Sequence, residues 1–90
     1  MFQLVTVTPQ IAAERRLPIE NGALIVSISN ANSRISGLRR GDVIVGINRQ
    51  RVESAEEVND LFRTFAGGSR IWATVWRNGA LVNTWPFQVL

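Results

Sequence analysis

Apolar and polar positions divide the chain into short segments of differing period, separated by Gly, Pro and Asn. Phe2 to Val7 is rich in β-branched and apolar residues and reads as a strand with apolar side chains on both faces. Thr8 then caps a short helix with Pro9 at its first position, and Ile11 and Ala12 follow at helical spacing up to Leu17-Pro18. After the turn Glu20-Asn21-Gly22, the nearly continuous apolar run from Ala23 to Ser29 predicts a central strand. Asn30 to Ser33 is polar and turn-forming. Ser33 is placed to cap one helical turn through Arg34, Ile35 and Ser36, with Ile35 and Leu38 pointing inward.

The segment from Ser36 to Asn48 is the most informative in the chain. Gly37 and Gly41 accept positive φ without a Cβ clash, and Asp42 can hydrogen-bond to backbone around the turn, so the change of direction before Val43 is encoded locally. A strand from Asp42 to Ile47 follows, then a turn at Asn48-Arg49-Gln50 and a short extended piece around Arg51-Val52. Ser54 and Glu57 have capping-box spacing: the Ser54 hydroxyl accepts from the Glu57 N–H while the Glu57 carboxylate reaches back to the Ser54 N–H. Val58, Leu61, Phe62 and Phe65 recur at helical spacing, so a helix runs from Ala55 to about Phe65 and ends at Gly67-Gly68. Ile71 to Arg77 alternates as a strand, Asn78-Gly79 is a hairpin turn, and Leu81 to Val89 returns antiparallel with Pro86 marking an edge or bulge. Trp72 and Trp76 share one strand face, and Trp85 is expected to meet them across the hairpin.

The elements sum to an α+β domain, residues 1–90, built on a small and mainly antiparallel sheet or partial barrel with helices over its openings. Ninety residues suffice for one core. Cysteine and histidine are both absent, which excludes thiol catalysis and Ser-His-Asp or Cys-His arrangements within these residues. The remaining hydroxyls and carboxylates form no recognisable catalytic set, so a non-catalytic domain without cofactor or metal is expected. Glu56 and Glu57 read as helix-start electrostatics. The net charge of +3 comes from ten basic residues, all arginine. These fall in separate turns, not along one helix face or among aromatics, which argues for a solvated surface and against nucleic acid. No apolar run approaches the roughly 18 residues of a membrane span, and no leader pattern is present.

Gly22 to Ile28, a polar loop, Gly37-Leu38-Arg39-Arg40-Gly41-Asp42-Val43-Ile44-Val45-Gly46-Ile47-Asn48, Val52, a capped helix and a final strand together resemble a bacterial PDZ domain over nearly the whole chain. Thr8-Pro9-Gln10-Ile11-Ala12 and the extra strand after Asn78-Gly79 resemble, more particularly, the circularly permuted PDZ domains of HtrA (Do-like) serine proteases. The resemblance implies a peptide-binding module that adds a partner's C-terminal or extended segment to the first strand, beside the helix Ala55 to Phe65. It implies peptide or protein C-termini as partners, a protease domain in the parent chain, and a periplasmic or cell-envelope location.

Carried over residue by residue, the resemblance assigns the groove to Met1, Phe2, Gln3, Leu4, Val5 and Thr6 on the strand and to Ala55, Asn59 and Phe62 on the helix. Phe62 would floor the terminal side-chain pocket, with Leu4 flanking it. The family's carboxylate-binding loop, usually apolar-Gly-apolar, falls at or just before Met1-Phe2, where this sequence has no glycine. The plain alternatives are that Phe62 and Leu4 are core residues, that Asn59 is a solvated polar residue, and that the tryptophans pack. A second functional class is a structural docking or oligomerisation domain, motivated by the missing loop glycine and the tryptophan face.

Overall fold

A computed structural model describes residues 2–89 of the chain. Its elements are β1 (Phe2–Thr6), α1 (Pro9–Arg15), β2 (Ala23–Ile28), α2 (Asn30–Ser36), β3 (Val43–Ile47), β4 (Gln50–Arg51), α3 (Ala55–Phe65), β5 (Arg70–Ile71), β6 (Ala73–Arg77), β7 (Ala80–Asn83) and β8 (Phe87–Gln88). The main sheet has the order β1-β2-β3-β6-β7 with β4 also paired to β3, and β5 pairs β8 separately. Every pairing is antiparallel, and β1 and β7 are the outer strands of an open sheet. This is the expected α+β domain.

Two cores lie on opposite faces of the sheet. Ala23, Ile25, Ile44, Ile47, Ala73 and Val75 join Val58 of α3 and Leu38 in the larger one. Leu24 and Val43 meet Val7 and Ala12 beneath α1 in the smaller one, with Ile11, Leu17 and Trp76 against them. Strict alternation would send Ile25 and Ile28 to opposite faces. A register shift between Gln3 and Leu4, opposite Val26, resets the alternation and brings both isoleucines to the larger core.

Several expectations are corrected. β1 is one residue shorter than the predicted strand, with Gln3 and Val5 exposed; the apolar residues of Phe2 to Val7 do serve both faces, Phe2 and Leu4 against the larger core and Val7 in the smaller one. Ser29, not Ser33, caps the second helix: its Oγ accepts from the Asn32 N–H at 3.1 Å, and seven residues become helical. Ser33 instead donates to the Leu38 carbonyl at 2.6 Å, tying the helix to the following turn. Ile35 faces outward, 53% exposed, while Leu38 is fully buried as expected. At α3 the Ser54 cap forms, but the Glu57 carboxylate accepts from the Glu53 N–H, one residue earlier than the capping box predicts.

The predicted long hairpin is two shorter pairings. β5 and β6 break at Trp72, and β7 and β8 break across Thr84, Trp85 and Pro86. At the break, Thr84 Oγ1 accepts from the Ala73 N–H at 2.9 Å and the Thr84 N–H donates to the Ala73 carbonyl at 2.8 Å. Pro86 brings no N–H to a ladder, so the strand stops there. Trp85 stands 89% exposed and makes no ring contact with Trp72 or Trp76.

The Ser36 to Asn48 segment turns as its glycines predict, with Gly37 at φ 75 and Gly41 at φ 93. The Asp42 carboxylate accepts from the Arg39 N–H at 2.8 Å. It also receives a two-pronged bond from Arg77, Nε to Oδ1 at 2.8 Å and Nη2 to Oδ2 at 2.7 Å, and Arg77 Nη2 donates to the Gly37 carbonyl at 2.7 Å. Charge-assisted bonding to Asp42 holds the Arg77 guanidinium above its ordinary pKa, against the opposing effect of burial.

Candidate functional site

β1 is an outer strand, so alternate N–H and C=O groups along it face away from β2. The helix α3 borders it, and two contacts fix how they lie together. At one end Thr6 Oγ1 accepts from the Ala55 N–H at 2.9 Å and is 3.5 Å from Glu56 Oε1. The first N–H groups of a helix have no partner within it, so Thr6 satisfies one of them from outside. At the other end the rings of Phe2 and Phe62 meet edge to face, with centroids 5.2 Å apart.

The strand start therefore lies beside the middle of α3, and the strand end beside the helix N-terminus. Leu4 falls between the two contacts on the strand, as Asn59 does on the helix. Phe2, Leu4 and Phe62 are half-buried against the larger core, so each presents part of its apolar surface outward. Asn59 is exposed. Ala55 is 6% exposed and belongs to the core, so it closes the Thr6 end through its backbone. Gln3 and Val5 are exposed on the face of β1 turned away from α3. Met1, and with it the position expected for the carboxylate-binding loop, lies outside the described residues.

The structure thus places Phe2, Leu4 and Thr6 on the side of β1 that meets α3, with Asn59 and Phe62 on the helix, whereas the backbone groups of Gln3 and Val5, alternating in step with the Val7 N–H that donates to the Gly22 carbonyl, point toward β2. Two residues that shape the domain escape a reading of the sequence. Glu56 lies against Thr6, and Arg77 locks the Gly37 to Asp42 turn from 35 residues away.

A scan against protein-family models finds no match. Among curated proteins, the bovine (Bos taurus) mitochondrial serine protease HTRA2 is 37% identical over 68 residues, 68% of this chain and 15% of that protein. A probable periplasmic DegP-like serine endoprotease of Brucella suis is 32% identical over 76 residues, 83% of this chain and 15% of that protein. The chain thus spans about one seventh of the length of the curated relatives it matches. Among solved structures, the HtrA3 PDZ domain bound to a phage-derived ligand (FGRWV) superposes with a TM-score of 0.79 at 19% identity, covering 97% of this chain and 80% of that one. The HtrA-type protease AlgW with a decapeptide superposes with a TM-score of 0.77 at 27% identity, covering 97% of this chain and 27% of that one.

Proposed function

Because the chain is a PDZ domain like those of HtrA proteases, we propose that it is the peptide-binding module of an HtrA-type protease. A C-terminal or extended segment pairs with β1, and one apolar side chain enters between Leu4 and Phe62. The observation that carries this reading is the open edge of β1 lying along α3, with Phe2, Leu4 and Phe62 half-exposed between them. The peptides named with HtrA3 and AlgW support the same use. The catalytic domain belongs to the parent chain, and the periplasmic DegP-like relatives support the periplasm as its location.

Chemically the groove offers backbone bonds at about 1 kcal/mol net each and one buried side chain at about 2 kcal/mol, offset by the ordering of the peptide. Binding is therefore weak and reversible, which suits a module that samples substrates. Titrating the ¹⁵N-labelled chain with peptides ending in Val, Leu or Lys tests the reading. Amide shifts concentrated in Phe2 to Thr6 and along α3, larger for the apolar-ended peptides and lost in Phe62→Ala, are expected. Shifts elsewhere, or none, refute it.

A second reading, docking to a folded partner or to another copy, rests on Trp85 and Leu81, 89% and 62% exposed near the β7 edge. Trp72 and Trp76 are half-buried and suit packing better. Light scattering over a concentration series decides it: self-association abolished by Trp85→Ala supports docking, and a concentration-independent monomer removes self-docking.

A further inference from the structure

A cleft of about 460 Å³ opens on the face of the sheet away from α3. Arg15 and Arg16 at the end of α1 line it together with Leu24 and Trp76 of the smaller core and with Gly41 and Gly79. That volume lies within the roughly 300–1,000 Å³ range of ligand pockets. Neither guanidinium is paired with a carboxylate among the described residues. Arg16 holds the left-handed backbone conformation, φ 55 and ψ 43, at a helix end where glycine is the usual occupant. No heavy atom lies within 4 Å of the place a Cβ would take at Gly41 or Gly79, so the surface beside both glycines is open, although the Gly41 N–H itself donates to the Ile25 carbonyl.

We propose that this cleft is a second binding site, taking an acidic peptide segment that carries an apolar side chain. Guanidiniums bind carboxylates through paired, planar hydrogen bonds, and the Trp76 ring offers an apolar face beside them. Leu81, exposed and opposite Trp76 on β7, extends that face. A bare phosphate would engage the arginines and leave Leu81, 62% exposed beside the half-buried Trp76, in water, so the mixed surface favours the peptide.

The test is titration of the ¹⁵N-labelled chain with acetyl-Glu-Leu-Glu-amide, with acetyl-Gln-Leu-Gln-amide and inorganic phosphate as controls. The blocked C-terminus and the opposite face of the sheet separate this site from the β1 groove. Shifts at Gly41, Gly79 and the Trp76 indole are expected, with affinity reduced at least tenfold for the glutamine peptide and again for Arg15→Gln/Arg16→Gly. Glycine at 16 suits the local backbone, so that variant keeps its fold, which its spectrum verifies. The proposal is overturned by equal shifts with the neutral peptide, by phosphate binding as well as the acidic peptide, by shifts confined to β1 and α3, or by no shifts.

Discussion

Replacing Arg77 with Met removes the partner of a carboxylate that the fold cannot return to water. Asp42 is 2% exposed, and its remaining protein bond would be the one from the Arg39 N–H. Met keeps the aliphatic bulk of the arginine stem, so the loss isolates the ionic contacts. Removing one member of a buried pair costs about 3–5 kcal/mol, because the other charge stays buried without compensation. Domains of this size have about 5–15 kcal/mol in total, so Arg77→Met should lose a large share of the stability. The partners are not equivalent: the Arg77 side chain is 16% exposed against 2% for Asp42. In Asp42→Asn the guanidinium keeps the Gly37 carbonyl and reaches solvent, so about 1–2 kcal/mol is expected. Urea unfolding followed by tryptophan fluorescence gives both numbers. The raised Arg77 pKa fixes the sign of any pH effect: its contribution is complete below the unfolded-state value and is lost only as pH rises through the higher folded-state value. Both values are strongly alkaline, so the cost of Arg77→Met should be constant between about pH 7 and pH 9. A cost below about 1 kcal/mol, or a larger one for Asp42→Asn than for Arg77→Met, refutes the reasoning.

Gly22 sits at φ 112, and a Cβ there would lie 2.9 Å from both the Ile44 carbonyl oxygen and Val43 Cγ1. Gly22→Ala should therefore cost at least about 2 kcal/mol, seen as a fall in Tm of about 10 °C. Ser29→Ala should cost about 1 kcal/mol and speed hydrogen exchange at the Asn32 amide. Ser33→Ala, which loses a bond to the Leu38 carbonyl instead, should leave that amide's exchange unchanged. Thr6→Val keeps the strand-favouring shape but leaves the part-buried Ala55 N–H without its acceptor, for a loss of about 1–2 kcal/mol in chemical denaturation.

The elements that local chemistry specifies were legible in the sequence. Thr8 and Ser54 cap the helices they were expected to cap, and the Asn78-Gly79 turn joins β6 to β7. The errors arose where tertiary contacts choose between equivalent local options. Ser29 and Ser33 are both competent caps, and only the bond from Ser33 to the Leu38 carbonyl removes one of them from the competition. At Trp72 the β3 side of the strand is taken by Asn48, whose Oδ1 accepts from the Trp72 N–H at 3.0 Å while its own N–H donates to the Trp72 carbonyl at 2.9 Å. On the hairpin side it is Ala73 whose two backbone groups are taken by Thr84, one of them by the side-chain Oγ1 in place of a carbonyl. No pattern within the hairpin sequence records this.

The same distinction bears on the proposed groove between β1 and α3. An outer strand beside an amphipathic helix would ordinarily close the gap by packing directly against it, burying the apolar surface of both. Here the two are held at their ends by different interactions. A hydrogen bond sets the spacing at Thr6 and Ala55, and an edge-to-face ring pair sets it at Phe2 and Phe62. Neither contact can shorten: the first is at its optimal length, and the second is limited by the ring radii. Leu4, between them, is only partly buried against the larger core, which leaves part of its surface for a bound segment in the proposed mode. The domain has therefore already met the ordering cost on its own side, and a bound segment would add only its own. Affinity at this site should accordingly respond more to stiffening the peptide than to stiffening the domain.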